Sequence, residues 1–194
     1  MILLEFVNIL RTIPVMILVS SLHIIDIVKR DMKKYEWYIN APLREKFMFK
    51  FNKLLLRNDC FRNVVYYRIT SKQKVFGYFY RILYPIKKDL EIHGEIGPGL
   101  AIYHGHGTII TPNKIGDNFS VYQGVTVGKN PHPNKNVITP TIGNNVTIYA
   151  NAVVAGGINI GDNVVIGAGA IVMKDIPSNS VVIGNPCVIK RRTK

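Results

Sequence analysis

The stretch "PTIGNNVTIYANAVVAGGINIGDNVVIGAGAIVMKDIP" (residues 140–177) decides the fold. An aliphatic residue returns at every sixth position: Ile142, Ile148, Val154, Ile160, Ile166 and Val172. Neither the 3.6-residue helical period nor the two-residue strand period produces that step. A short fixed repeat is the mark of a solenoid, here a hexapeptide β-helix in which each hexad is a short strand and a turn. The aliphatic residue points into the coil. The small residues and asparagines after it ("IGNN", "IGDN", "IGAG") take the corners, some at positive φ.

The same step extends upstream through Ile115, Val121 and Val127, and through Ile96 and Ile102. It is broken twice. From Ile102 to Ile109 the step is seven, which puts one extra residue in "YHGHGT". From Val127 to Ile142 the gap is fifteen, so that a Pro- and Asn-rich segment, 128–141, is looped out of the coil. An irregular loop on a rigid coil is a platform for a site.

Residues 1–88 read differently. Apolar positions recur at mixed three- and four-residue steps in "LREKFMFKFNKLLLRN" and "NVVYYRITSKQKVFGYFYRILYP", with Pro42 and Pro85 as punctuation, which predicts helices. The fold class is therefore mainly β: a parallel β-helix over 89–194 preceded by an α-helical region over 1–88. Of the net charge of +13, residues 1–90 carry +10 and residues 91–194 carry +3. A basic half points to an anionic neighbour such as a membrane surface or a phosphorylated ligand. Aromatic residues between basic ones also occur in single-strand binders. Helical packing explains them more simply here, and nucleic acid is not expected as a partner.

The apolar N-terminal run "FVNILRTIPVMILVSSLHII" (6–25) contains Arg11 and Pro14, and its charge-free core is shorter than a bilayer span. The first charge is Glu5 and no small-residue cleavage site follows, unlike a secretory signal. A buried or interfacial helix is expected, with "KRDMKK" (29–34) near anionic headgroups or an oligomer contact. That gives a cytoplasmic protein, peripheral at the inner face of the membrane. Cys60 and Cys187 form no CxxC pair and read as reduced thiols.

The motifs "IGPGLAIYHG", "VYQGVTVG", "GNP" and the opening stretch, in this order, resemble the hexapeptide-repeat acetyltransferases, in the branch of serine acetyltransferases and polysaccharide O-acetyltransferases. The resemblance covers just over half the chain. It implies a left-handed β-helix, a homotrimer, and acetyl-CoA in the groove between coils, with no metal. It implies His104 as general base on an acceptor hydroxyl, oriented by Asp89 fifteen positions earlier. An imidazole is needed because a hydroxyl attacks a thioester poorly until its proton is removed. By the same resemblance Gly124 offers a backbone N–H to the thioester oxygen. Ala150 and Ala168 let the pantetheine arm lie close, and Lys174 and Arg191 meet the CoA phosphates. Where serine acetyltransferases carry an aspartate before the base and a second histidine across the site, this sequence has Tyr103 and Thr139. With His106, these are the candidate acceptor contacts. The loss of a carboxylate and a cation favours a sugar hydroxyl of a surface polysaccharide, such as capsule, exopolysaccharide or lipopolysaccharide, over the amino acid serine. His104 and His106 as zinc ligands, and a non-catalytic scaffold, are weaker readings. His93 and His132 default to loop surface.

Overall fold

The computed structural model describes residues 2–39, 45–130 and 137–191. His132 and Pro42 lie outside them. The chain divides into two compact units, Met1–Lys87 and Lys88–Lys194.

The first unit contains α1 (Ile2–Ser21), α2 (Ile25–Lys33), α3 (Glu36–Ile39), α4 (Phe47–Arg57), α5 (Asp59–Lys72) and α6 (Lys74–Leu83). The side chain of Asn58 caps α5 by accepting from the Phe61 N–H at 2.8 Å, so that α4 stops and α5 starts at one residue. The core is aromatic. Phe61 packs edge-on against Tyr35 and Phe51, with ring centroids 5.3 and 5.9 Å apart. Leu54, Leu55, Val64, Val65 and Ile69 fill the space around them, all fully buried. Helical packing thus accounts for Phe51, Phe61, Tyr35, Tyr80 and Tyr84, all buried.

Two buried polar clusters tie the helices. Arg68 of α5 donates from Nε and Nη2 to the two carboxylate oxygens of Asp31 of α2, at 2.8 and 3.0 Å, and both side chains are almost fully buried. On the inward face of α1, Asn8 donates to Asn52 Oδ1 of α4 at 2.8 Å, and the Thr12 hydroxyl lies 2.7 Å from both Asn52 Oδ1 and the Tyr84 hydroxyl. α1 is longer than its charge-free core. Leu4–Ser21 has a mean hydropathy of 1.5 and would cross a bilayer by length and composition alone. Its inward side carries the buried Asn8, Thr12, Val15 and Val19, the pattern of a helix packed on one side.

The second unit is a three-faced parallel solenoid. The first face is built from Leu90–Ile92, Thr108–Ile110, Thr126–Gly128, Val153–Ala155 and Ile171–Val172. The second face contains Glu95–Ile96, Lys114–Ile115, Thr141–Ile142 and Asn159–Ile160. The third contains Ala101–Ile102, Ser120–Val121, Thr147–Ile148, Val165–Ile166 and Ser180–Ile183, closed by the antiparallel strand Val188–Arg191. Aliphatic residues stack coil on coil as the hexads predict: Ile96, Ile115, Ile142 and Ile160 on one face, Ile102, Val121, Ile148 and Ile166 on another.

One register differs from the sequence reading. Ile110, not Ile109, is the inward residue: it pairs with Val127 and is fully buried, whereas Ile109 faces outward. The step from Ile102 is therefore eight, and the "YHGHG" corner contains two extra residues rather than one.

The corners explain the small residues in two ways. Between the second and third faces, Asn118, Asn145, Asn163 and Asn179 adopt φ of 59°, 56°, 57° and 58°. Their amides form a ladder along the solenoid, at 3.0, 3.2 and 3.0 Å. Asparagine tolerates this left-handed conformation better than other residues with a side chain. The glycines after the aliphatic residues do a different job, because Gly97, Gly116, Gly143 and Gly161 sit where successive coils touch. A Cβ on Gly143 would lie 2.9 Å from both Asp162 N and Gly161 C. Gly143→Ala is therefore expected to destabilise the solenoid by about 1–3 kcal/mol through overpacking. A lowered thermal midpoint by circular dichroism would show it, and an unchanged midpoint would refute the close-approach explanation.

Candidate active site

The third-to-first corner gathers most of the residues singled out in the sequence. His104 and His106 stand on the second coil, Gly124 on the next, and Ala150 and Ala168 on the two after that. Asp89 begins the same edge of the first face, and its carbonyl accepts the Thr108 N–H at 3.2 Å. The enlarged corner is left-handed at three residues, with φ of 65° at His104, 60° at Gly105 and 60° at Gly107. A histidine held at positive φ is strained backbone of the kind that clusters at functional sites. The corner presents both imidazoles to solvent.

The carboxylate pairing differs from the expectation. Asp89 Oδ2 lies 3.3 Å from Nδ1 of His106, not at His104. The two extra residues of the corner carry His106 back over the start of the first face, where Asp89 stands. The pair is at least half exposed, so it contributes little to stability and its value is positional. The expected role of Gly124 is also corrected. Its N–H donates to the His106 carbonyl at 2.7 Å and is not free for a thioester oxygen. Gly124 instead fixes the corner from the coil above, with φ of 69°.

Ala150 and Ala168 lie on the outer edge of the solenoid. The Ala150 carbonyl accepts the Gly169 N–H at 2.9 Å, which stacks the two alanine corners in line. Small side chains on successive corners leave a shallow track along the coils beyond the histidines. Tyr103 stacks on Tyr122 and Tyr122 on Tyr149, with ring centroids 4.7 and 4.9 Å apart, beside the same ridge. The sequence reading missed this ladder. Its signal was present: each tyrosine directly follows an inward aliphatic residue of the third face, Ile102, Val121 or Ile148.

Thr139 and Lys174 are not brought to this ridge. Both belong to the first-to-second corner, which in one coil is the segment between Gly128 and Thr141, themselves strand residues and not looped out as the spacing suggests. Its neck is closed by Asn130 N–H donating to the Ile138 carbonyl at 3.0 Å, and Asn113 N–H donates to the Pro140 carbonyl at 2.8 Å. Arg191 ends the antiparallel edge strand of the third face and is exposed. Among the described residues no three His, Cys, Asp or Glu side chains converge as a metal site. Cys60 and Cys187 form no disulfide.

Residues 139–174 match the family described as bacterial transferase hexapeptide (six repeats). The chain is similar to a serine acetyltransferase of Synechococcus elongatus, 44% identical over 100 residues that make up 50% of this chain and 41% of that protein. It is also similar to a serine acetyltransferase of Helicobacter pylori, 43% identical over 99 residues, 50% of this chain and 57% of that protein. The matched region thus spans about half the length of the curated relatives. Among solved structures, the serine acetyltransferase of Neisseria gonorrhoeae in complex with serine superposes with a TM-score of 0.69 and 28% identity, over 89% of this chain and 71% of that one. The chain shares the fold of that enzyme.

Proposed function

We propose that the protein transfers acetyl from acetyl-CoA to the hydroxyl of L-serine, with His104 as general base. The observation that carries the reading is 43–45% identity to serine acetyltransferases over 99–100 residues, half of this chain. The sugar acceptor expected from the sequence is overturned by the same relatives, and the similar solved structure from Neisseria gonorrhoeae is in complex with serine. The capsule and polysaccharide setting inferred with it falls too. The reasons for preferring a sugar also weaken on geometry. Tyr103 is engaged in a ring stack, and Thr139 lies on another ridge of the same chain. Thr139 is not positioned to select for or against an amino acid beside His104 within one chain.

The chemistry balances without a metal. The serine hydroxyl oxygen bonds to the thioester carbon as the His104 imidazole takes its proton. The tetrahedral intermediate collapses, the C–S bond breaks, and the imidazolium returns the proton to the CoA thiolate. The products are O-acetylserine and CoA. Asp89 acts on this corner through His106, and so positions the second imidazole beside the acceptor. The alanine track at Ala150 and Ala168 receives the pantetheine arm. A homotrimer would bring the Thr139–Lys174 ridge of one copy toward the histidine ridge of another, and Lys174 would then meet the CoA phosphates.

Mass analysis of the reaction with acetyl-CoA and L-serine tests the proposal. O-acetylserine and CoA should form in equal amounts. Equal CoA release with and without serine, and no acetylated product, would contradict it.

A further inference from the structure

The helical unit carries two apolar faces that its own core does not use. On α1 the buried residues Asn8, Thr12, Val15 and Val19 define the inward side, and the other sides expose Phe6, Val7, Leu10, Ile13 and Ile17. On α6, Tyr80 and Gly77 face inward, while Val75, Tyr78, Phe79 and Ile82 are 55–79% exposed. Their spacing of i, i+3, i+4 and i+7 is that of a stripe meant for burial, turned outward. The helices meet at one seam. The Arg11 guanidinium donates to the Leu83 carbonyl and lies 4.8 Å from the Tyr84 ring centroid. An apolar surface of this size on a soluble unit marks an interaction site.

The charge around it identifies the occupant. The six acidic residues among residues 1–87 are each ion-paired within the unit: Glu5 with Arg57, Asp26 with Lys29, Asp31 with Arg68, Glu36 with Lys50, Glu45 with Lys53, and Asp59 with Lys87. The surplus is entirely cationic. Lys72, Lys74 and Arg81 are exposed on and beside α6, and Arg11 and Lys33 on α1 and α2. Exposed apolar stripes flanked by cations are the pattern of helices that lie in a bilayer interface, where apolar residues enter the acyl boundary and cations meet anionic headgroups. A contact with a second copy of the same surface would bring like charges together.

α1 does not span. Its inward face holds the Asn8–Thr12–Asn52–Tyr84 cluster, which a hydrocarbon environment on all sides would break.

We infer that the outward faces of α1 and α6 dock the protein onto the surface of an anionic lipid bilayer, with both helices lying in the membrane plane. The inference stands independently of the acceptor. Co-sedimentation of the full chain with phosphatidylcholine vesicles, with and without phosphatidylglycerol, tests it. The wild type should bind the anionic vesicles at least tenfold more tightly, and salt should weaken the binding. Phe79→Ser with Ile82→Ser, and separately Lys74→Glu with Arg81→Glu, should each reduce binding at least tenfold while keeping the wild-type circular dichroism and thermal midpoint. These four side chains are exposed, so their loss leaves the core intact. Wild-type binding by either double variant would overturn the inference, as would equal binding to neutral and anionic vesicles. A fall in the oligomeric mass of the Phe79/Ile82 variant would assign the face to a contact between copies and overturn it as well.

Discussion

Replacement of His104 by alanine is expected to lower serine acetylation by about 10²–10⁴-fold, the range for removing a general base. The loss should fall on turnover, because the imidazole acts as the hydroxyl proton leaves rather than in holding the ground state. The fold should survive. His104 is exposed at a corner, and its removal opens no cavity. Circular dichroism and thermal melting of the variant should match the wild type. His106→Ala and Asp89→Asn serve as comparators. They remove the carboxylate–imidazole pair at 3.3 Å and should each cost less than His104→Ala. The reverse order, with His106→Ala the more damaging, would transfer the base to the imidazole that Asp89 holds.

The largest expected effect on stability is at Asp31. Its carboxylate is fully buried and receives two hydrogen bonds from Arg68. Asp31→Ala strands a guanidinium in the core and is expected to cost about 3–5 kcal/mol. That is a large share of a typical domain's stability of roughly 5–15 kcal/mol. Truncating Asp31 and Arg68 together to apolar residues of similar volume should recover most of the loss, since no uncompensated charge remains. Denaturant titration of the single and double variants measures both. If the single variant lost less than the double, the ion pair would not be what holds α2 against α5.

The solenoid was legible because its determinant is periodic. Each hexad places one aliphatic residue inward, and the asparagine corners recur at fixed register, so spacing alone predicts Ile142 through Val172 as the inward residues of successive faces. The register failed at "GTIIT" because two adjacent isoleucines are equivalent to a six-residue count. Only the hydrogen-bond register with Val127 chooses Ile110. The same insertion hid the site's connectivity. The family resemblance implied Asp89 with His104, but two extra residues at the corner bring His106 to the carboxylate. The engagement of the Gly124 N–H follows from that corner too, since it caps the His106 carbonyl. The helical half was legible as helices and core. Its outward faces were not, because a run such as "KVFGYFYRIL" is apolar on two sides, and only packing tells which side Tyr80 takes. Tyr103 and Thr139 misled for a related reason: they were weighed as neighbours of one substrate before their ridges were known.

The most direct test of the central claim is the initial rate of thiol release from acetyl-CoA, measured with L-serine and with a panel of saccharides at matched concentration. The account predicts release that depends on serine, is abolished or nearly so in His104→Ala, and does not rise above background with the saccharides. Release that depends on a saccharide and is indifferent to serine would contradict it.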